Sequence, residues 1–409
     1  MRILALLAAA LATAACGTDS QPSDPPPGGE PVYYGQVQRI VNDNCLECHS
    51  ASPDRLAPFA LATYEDVVDA AANQPLSFAV MNREMPPYYA NNDGSCQSFS
   101  GSKWLSDDDM ATLVAWANGE RLAGDPANSV APPPPPGGLT SKDRSFDIGV
   151  DYTPQIAPDD YRCFVIDALG ADTFLTGAHV HPGNATIVHH VILFGLDSDA
   201  AQSDVLARDA ADPGPGYTCF GGPTTQGTSF LTAWVPGNQA VLMPAGTGIA
   251  IAGARKLVVQ VHYNTSGSNG LPDRTAIDLS LAPSVANQAI ATPVIGDVDL
   301  PPLTADATAT GSQNVPSNVS SARIWGIGMH MHQRGTAARI DGSDGCLLDM
   351  PNWDFHWQHF YWYERPVTVS GGDTVSITCH FDTSNDTQRV TWGEGTGDEM
   401  CLAYLYVTL

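Results

Sequence analysis

The sequence predicts a protein of several domains: a small all-α domain followed by two all-β, antiparallel sandwiches of the jelly-roll type. Three observations support this fold class. Helical spacing of apolar residues is found before residue 122, and short β-branched stretches separated by Gly, Pro, Asn and Asp turns fill the chain after residue 144. A proline run, Pro132–Pro136, followed by two glycines separates these two regions. At 409 residues the chain has room for two or three domains.

The first residues are predicted to be an export signal. Arg2 precedes the apolar run 3–11, and small residues then end in Ala14-Ala15-Cys16. This pattern resembles the lipobox of bacterial lipoproteins, which implies a signal peptide over residues 1–16 and lipidation of Cys16. We therefore expect an exported protein in the periplasm or at the cell surface, attached to the membrane only through a lipid. No Asp follows the cysteine directly, which favours the outer membrane. The alternative is an ordinary secreted protein.

The helical domain is predicted between two linkers. Residues 17–31 are rich in Pro, Gly and Asp, and residues 123–143 contain the proline run, so both are expected to be linkers. Residues 32–122 lie between them. Their last helix is predicted over residues 105–118 with Ser106 as its N-cap, because apolar residues recur there at helical spacing.

The motif Cys45-Leu-Glu-Cys48-His49 predicts a covalently bound c-type haem in this domain. In C-x-x-C-H the two thiols attach the porphyrin and the imidazole coordinates iron from one side. A zinc ribbon would need a second C-x-x-C pair, and the sequence has none. A short helix before the motif and a Trp-bearing helix after it resemble the cytochrome c fold.

That resemblance implies a second axial ligand to the iron. Met85 is the best candidate, since Pro86 and Pro87 would hold its loop rigid. Met81 and Met110 are the competitors, and Met110 is expected to be a core residue of the last helix.

Histidines inside apolar strands of the β region predict metal sites. They are His189 and His190 in IVHHVILF, His262 in VVQVHYNT, and His330 and His332 in GMHMHQ. A buried imidazole without a partner is costly, and the strand period of two places His330 and His332 on one face. His189 and His190 are adjacent, so a shared ion there requires a bulge or a strand end. Each histidine alone could equally be a hydrogen-bonded core residue.

The order of these motifs resembles that of the copper type II, ascorbate-dependent monooxygenases, the family of peptidylglycine α-hydroxylating and dopamine β-monooxygenases. HHVILFG, QVHY, HMHQRG, GDTVSITC and GDEMC follow each other over nearly all of residues 144–409. The resemblance implies a first copper sandwich over residues 144–290, with an electron-transfer copper on His189, His190 and His262. It implies a second sandwich over residues 291–409, where His330, His332 and Met400 hold the copper that activates oxygen.

The implied activity is hydroxylation of a C–H bond with O2, for which relatives draw electrons from ascorbate. A thioether suits Cu(I) and imidazole suits both copper states, so copper is the expected metal. We hypothesise that the haem passes electrons to the three-His copper, with an ascorbate-like reductant or a periplasmic electron donor as further sources. Tyr404 matches a substrate-contacting Tyr of the family, and Gln260 matches its Q-x-H. Gly328 and Leu402 stand where peptide-hydroxylating relatives have Arg and Asn, so a small apolar or aromatic substrate is expected.

The cysteines are expected to form disulfides in an oxidising compartment. The family resemblance implies a Cys379–Cys401 pair beside Met400 and a Cys163–Cys219 pair in the first sandwich. Cys96 and Cys346 remain, and the sequence leaves open whether they pair across domains or stay free.

Charge and the remaining histidines narrow the functional classes. A formal net charge of −26 argues against a nucleic-acid partner. His179 and His181 have metal-ligand spacing, but the family copper does not use them, so they are expected to lie in a loop or to support the ligands from behind. A structural role is expected for the remaining histidines of the β region: His356, His359 and His380. Two rival functions stay open, namely a non-catalytic electron-transfer or copper-binding lipoprotein, and a binding scaffold without metal.

Overall fold

The structure, a computed structural model, describes residues 29–409 except for the short stretches 53–54, 56, 135–137, 236–237, 268–269 and 396. The predicted signal peptide 1–16, with its lipidation residue Cys16, lies outside the described residues. The same holds for residues 17–28 of the first predicted linker and for part of the proline run.

Four helices lie near the N-terminus and a fifth lies within the β region. They are α1 (Gln38–Asn44), α2 (Tyr64–Asn73), α3 (Leu76–Met81), α4 (Asp107–Asn118) and α5 (Asp199–Ala211). Helix α4 begins as predicted, because the Ser106 side chain accepts a hydrogen bond of 3.1 Å from the backbone N–H of Asp109. Among the described residues, no helix has both the length and the apolar character needed to cross a membrane.

Helices α1–α4 pack around an apolar cluster of their own. Tyr33, Ile40, Leu113 and Trp116 are each about 1% exposed in this cluster, and the Trp116 Nε1–H donates to the carbonyl of Leu122 at 3.0 Å. Helices α1–α4 therefore form a helical unit with a core of its own. We call residues 32–122, which contain these helices, the N-terminal unit.

The remainder of the chain is built of strands. They are β1 (Arg144–Asp147), β2 (Asp159–Ile166), β3 (Thr173–His181), β4 (Val188–Leu196), β5 (Tyr217–Thr218), β6 (Thr228–Trp234), β7 (Val241–Leu242), β8 (Thr247–Ile251), β9 (Leu257–Asn264), β10 (Ala276–Ala282), β11 (Asn287–Ile295), β12 (Asp299–Leu300), β13 (Ala307–Asn314), β14 (Ala322–His330), β15 (Gly335–Gly342), β16 (Gly345–Met350), β17 (Phe360–Val369), β18 (Thr374–Phe381), β19 (Val390–Thr391) and β20 (Leu402–Thr408). The prediction of a mostly β, sandwich architecture is confirmed.

One large sheet runs through both sandwiches. Its nine strands have the order β1-β10-β3-β8-β11-β20-β14-β17, with β7 beside β3. The five-stranded sheet β5-β2-β9-β4-β6 contributes to the first sandwich, and the four-stranded sheet β13-β18-β15-β16 contributes to the second. Strand β11 pairs in parallel with β8 and antiparallel with β20, so it joins the two halves. The boundary predicted between the two sandwiches, at residues 290 and 291, falls within this strand.

Helix α5 was not expected, because the sequence after residue 144 shows no long helical period. It begins at a serine cap, where the Ser198 side chain accepts from the backbone N–H of Ala201 at 3.1 Å. Ala201 and Val205 are buried against the first sandwich, close to the Cys163–Cys219 disulfide. Two buried positions suffice to anchor a helix whose other residues face solvent, which is why its apolar signal in the sequence is weak.

Candidate metal centres

Three histidines converge between two paired strands of the first sandwich. His189 and His190 lie on β4 and His262 lies on β9, and one ligand nitrogen from each falls within 4.8 Å of the others. The register of the two strands shifts between Val188, which pairs with Tyr263, and His190, which pairs with His262. This irregularity is the bulge that a shared ion requires, since it lets two adjacent side chains reach the same point.

The hydrogen bonds of this cluster decide which ring nitrogens are free. Nε2 of His262 lies 2.9 Å from Oδ1 of Asp159, so it donates its hydrogen there and leaves Nδ1 with a lone pair. Nδ1 of His190 lies 3.4 Å from this Nδ1, and Nδ1 of His189 is buried without a hydrogen-bond partner. The unpartnered Nδ1 of His189 and the close pair of Nδ1 atoms on His190 and His262 are typical of a metal site whose donors point at a common centre.

Burial keeps the imidazoles of His189 and His190 neutral. Desolvation lowers the pKa of His189 to about 3, and it lowers the pKa of His190 well below the usual value. Tyr161 stacks on His262 with ring centroids 4.0 Å apart and an interplanar angle of 8°. A neutral imidazole is the form that binds a transition metal.

A second group of candidate ligands lies where β14 ends. His330 is the last residue of β14 and His332 follows two residues later, with their ring centroids 5.1 Å apart. The antiparallel register of β14 and β20 pairs His330 with Leu402, so Met400 lies just beyond this pair at the same edge as His332. Met400 is 5% exposed.

A buried carboxylate joins the segments that carry these ligands. Glu399 accepts hydrogen bonds from the backbone N–H groups of His332 at 2.8 Å, Arg334 at 2.7 Å and Met400 at 3.3 Å. Burial raises the pKa of Glu399 to about 7 against the opposing effect of these donors. The disulfide Cys379–Cys401 holds the following residue to β18. Both devices fix Met400 relative to the two histidines.

In the second group, hydrogen bonds occupy Nδ1 of both histidines, whereas in the first group the bond of His262 occupies Nε2. Nε2 of Gln358 donates to the carbonyl of Phe355 at 2.9 Å, so its Oε1 must accept from Nδ1–H of His330 at 2.7 Å. The carbonyl of Asp398 accepts from Nδ1–H of His332 at 3.1 Å. Nε2 of both histidines is left for a ligand bond. Burial lowers the pKa of His330 to about 3 and lowers that of His332.

One aromatic ring lies between the two groups. Phe355, 7% exposed, stacks on His189 with ring centroids 4.7 Å apart and meets His332 edge to face at 5.8 Å. Asp159, Phe355 and Gln358 were not identified from the sequence as parts of the site, because each lies at a strand end or in a loop and has no periodic pattern. Only the folded contacts identify them.

A large cleft lies beside α5, and its lining reaches Tyr404 on β20, the strand that pairs with β14. Its volume is about 1060 Å³, and its lining includes Asp204, Phe230, Ile249, Pro293 and Tyr404. Tyr404 stacks on Phe230 with ring centroids 4.4 Å apart. Tyr404 also pairs across the sheet with Gly328, two residues before His330. The predicted substrate-contacting residue therefore lies at the wall of a cleft, one step along the sheet from a candidate ligand.

An aromatic ring covers residue 328, one of the two positions at which this chain departs from the peptide-hydroxylating pattern. Gly328 pairs with Phe360 on its other side, and a Cβ at residue 328 would lie 2.7 Å from the Phe360 ring. Phe360 thus covers the place where a side chain at residue 328 would begin. Leu402, the other departure from the peptide-hydroxylating pattern, is 8% exposed.

In the N-terminal unit the haem motif follows α1. Nδ1 of His49 is 2.9 Å from the carbonyl of Phe59, which accepts its hydrogen and leaves Nε2 free for iron. Cys45 and Cys48 form no disulfide, and burial raises the pKa of Cys45 to about 12. Met85 lies in the loop after α3 and is 38% exposed, whereas Met81 is 52% exposed. The two thiols and the oriented imidazole of His49 fit the attachment of a c-type haem, whereas Met85 lies among Arg83, Tyr88 and Trp104.

The structure contains three disulfides in its described part: Cys96–Cys346, Cys163–Cys219 and Cys379–Cys401. The last two are the pairs that the family resemblance implies. The first resolves the alternative left open by the sequence, because it links the N-terminal unit to β16 of the second sandwich. A bridge across 250 residues greatly restricts the unfolded chain.

The other histidines make ordinary hydrogen bonds. His181 bonds to Asp278 at 2.8 Å and stacks near His179, and His380 bonds to Asp306 at 2.8 Å. Nδ1 of His356 lies 3.1 Å from Asp354, and Nε2 of His359 donates to the carbonyl of Pro87 at 3.1 Å.

Comparison with known proteins points to one family. Residues 299–407 match the family model described as the C-terminal domain of copper type II ascorbate-dependent monooxygenases. Tyramine beta-hydroxylase of Caenorhabditis briggsae is 26% identical over 259 residues, which cover 56% of this chain and 41% of that protein. DBH-like monooxygenase protein 1 of Gallus gallus is 25% identical over 265 residues, 55% of this chain and 40% of that protein. Dopamine beta-hydroxylase of Rattus norvegicus is 25% identical over 260 residues, 56% of this chain and 39% of that protein.

The chain therefore spans about two fifths of the length of these curated relatives. The family match covers the segment that contains His330, His332 and Met400. Together the matches support a copper-dependent oxidoreductase of the monooxygenase type.

Proposed function

We propose that this chain is a copper monooxygenase that uses O2 to hydroxylate a C–H bond of a small organic molecule. The observation that carries the proposal is the arrangement of ring nitrogens. His262, His330 and His332 each turn one nitrogen to a fixed hydrogen-bond partner and keep the other free. Two such groups on facing sandwiches are the donor sets of two redox-active ions.

Each group has its own role in this proposal. His189, His190 and His262 would hold one copper, and His330, His332 and Met400 would hold the other. Bound copper supplies one-electron redox chemistry and activates dioxygen at the site that contains the thioether. The protein orients the imidazoles through Asp159, Gln358 and the Asp398 carbonyl, and Phe355 fills the space between the groups with apolar atoms.

The substrate is proposed to be a small apolar or aromatic molecule. Phe230 and Tyr404, whose rings stack, both line the cleft, and Phe360 covers Gly328, where a guanidinium would have to project. Arg208 also lines the cleft, but its Nε donates to Oδ2 of Asp204 at 3.1 Å, so this cation is already paired. The aromatic rings favour a substrate with a ring or an aliphatic group. Two of the curated relatives are named for tyramine and dopamine, each of which carries an aromatic ring.

A c-type haem is proposed for the N-terminal unit, attached through Cys45 and Cys48 with His49 and Met85 as axial ligands. Such a haem supplies single electrons, and an ascorbate-like reductant is the alternative source. The free Nε2 of His49 supports the proposal. Met85→Ala should abolish the Met-to-iron charge-transfer band of the oxidised protein, and a band that survives would move the ligand to another residue.

Export with lipid attachment at Cys16 is also proposed. Cys16→Ala should release the protein from the membrane fraction into the soluble periplasm, and mass spectrometry of the wild-type N-terminus should detect the lipid. An unmodified wild-type N-terminus would contradict the attachment.

The proposed function is tested first by the metals themselves. The purified full chain should contain about two copper ions and one haem, with an electron paramagnetic resonance signal of type 2 copper. Oxygen uptake with a reductant should then depend on a member of an aromatic substrate panel. Full metal content without any substrate-dependent uptake would favour the non-catalytic electron-transfer or copper-binding protein, and a chain that binds no copper would favour a scaffold.

A further inference from the structure

The N-terminal unit shares part of its chain with the core of the second sandwich. We call residues 87–100 the docking segment. Its Tyr89, Ala90 and Phe99 are 4%, 0% and 1% exposed, and they belong to the same apolar cluster as the strands of the second sandwich. Burial of two aromatic side chains stabilises this contact, because separating the segment from the sandwich would expose both rings to water.

Backbone hydrogen bonds and a disulfide fix the docking segment in register. Ser100 N–H donates to the carbonyl of Trp362 at 2.8 Å, and Glu364 N–H donates to the carbonyl of Ser98 at 3.0 Å, so the segment extends the edge strand β17. Asn91 N–H donates to the carbonyl of Asp349 at 2.8 Å. The disulfide Cys96–Cys346 lies between these contacts.

The docking segment is fastened beside a loop that contacts both candidate histidine ligands. We call residues 351–359, between β16 and β17, the clamp loop. Its Trp353 donates through Nε1–H to the carbonyl of His332 at 3.1 Å, and its Gln358 accepts from Nδ1–H of His330 at 2.7 Å. Phe355 of the same loop lies against the His332 ring.

The clamp loop is held at its far end by the N-terminal unit. Nε2–H of His359 donates to the carbonyl of Pro87 at 3.1 Å, and the His359 ring lies 6.4 Å from the ring of Tyr88. The contacts therefore run without a gap from Pro87 through His359 and its neighbour Gln358 to the imidazole of His330.

We propose that the docking segment is a positioning element of the second metal site, and that it acts through His359 and Gln358 on His330. The rotation of the His330 ring is set by Gln358, and the position of Gln358 depends on a loop with no strand hydrogen bonds of its own. Pro87 supplies an anchor for that loop. The proposal rests on the proposed function, since it takes His330 as a copper ligand. It assigns the N-terminal unit a structural role in the copper site that does not depend on haem.

The test measures copper affinity at the second site alone. The first site is removed by His189→Ala with His190→Ala in the full chain, and Cu(I) is titrated against a chelator of known affinity. His359→Leu removes the donor to Pro87, whereas His359→Gln keeps an N–H donor at a similar reach. His380→Leu is the control, because that imidazole bonds to Asp306 on another sheet.

We expect His359→Leu to weaken Cu(I) binding by about 10–100-fold, the range for residues that orient a metal ligand. His359→Gln should recover most of the affinity, and His380→Leu should leave it unchanged. Hydrogen exchange of the clamp loop in the metal-free chain should be faster in His359→Leu than in His359→Gln or His380→Leu. Cys96→Ser with Cys346→Ser, which loosens the docking segment without touching the clamp loop, should also weaken binding.

The outcomes separate the two proposals. If the parent chain without its first site binds no copper, the proposed function fails. If that parent binds copper and both His359→Leu and the disulfide variant bind it equally well with unchanged exchange, the positioning role is wrong while the proposed function stands.

Discussion

The two candidate metal centres orient their histidine rings through opposite ring nitrogens. In the first sandwich His262 gives its Nε2 hydrogen to the carboxylate of Asp159 and keeps Nδ1 free. In the second, His330 and His332 give their Nδ1 hydrogens to an amide and a backbone carbonyl and keep Nε2 free. The first centre has an anionic partner and lies between two hydrogen-bonded strands, whereas the second has neutral partners and lies at a strand end.

This difference indicates which oxidation state of copper each centre would favour. A carboxylate partner raises the basicity of an imidazole and so favours Cu(II), the form that has given up an electron. Neutral partners and the soft thioether of Met400 favour Cu(I), the form that meets dioxygen. Under the proposed function, the protein would distinguish its two copper ions through the hydrogen-bond partners of their ligands.

The largest expected effect comes from removing a ligand of the second centre. His330→Ala should lower copper content from about two ions to about one and abolish substrate-dependent oxygen uptake, because a site with one imidazole and one thioether no longer encloses the ion. Elemental analysis and an oxygen electrode measure both. His380→Ala is the matched control. Normal uptake by His330→Ala would contradict the assignment of oxygen chemistry to this centre.

A smaller effect is expected from the carboxylate behind the first centre. Asp159→Asn should weaken Cu(II) binding there by about 10–100-fold and raise its reduction potential, since the anion no longer supports His262. A redox titration followed by electron paramagnetic resonance resolves the two centres. The second centre should keep its potential, and Asp167→Asn, on an exposed side chain, should change neither. Equal shifts of the reduction potential at both centres would contradict a separate effect of Asp159 on the first centre.

The pH dependence of the metal-free chain probes the imidazoles of both centres at once. Burial lowers the folded-state pKa of His189 and of His330 to about 3, below the unfolded value of about 6.5. The unfolded chain therefore binds protons first, so stability held above pH 6.5 is lost as the pH falls toward 3, by at most about 1.4 kcal/mol per pH unit for each imidazole. Thermal unfolding between pH 7 and 5 should show this slope, and His189→Leu should reduce it. A slope identical in wild type and His189→Leu would refute the contribution of this residue.

The sequence predicts the ligands of both centres better than it predicts what surrounds them. His330 and His332 are visible because a strand alternates, and the adjacency of His189 and His190 already required the bulge that β4 shows. Asp159 and Gln358 could not be identified from the sequence, because a single Asp at a strand end or a single Gln in a loop has no periodic pattern. Helix α5 and the shared strand β11 were missed for a related reason: few of their residues are buried, and sheet order depends on contacts between distant strands.

The smallest expected effect concerns Gly328, two residues before His330 of the second centre, where the Phe360 ring covers the backbone. Gly328→Ala should lower the free energy of unfolding by about 1–3 kcal/mol, since its Cβ would lie 2.7 Å from the Phe360 ring. Gly138→Ala is the control, because nothing lies within 4 Å of a Cβ at that position. Adding Phe360→Leu to Gly328→Ala should recover part of the loss. Full stability in Gly328→Ala alone would mean that Phe360 does not occupy this space, and the preference for apolar substrates would lose its structural basis.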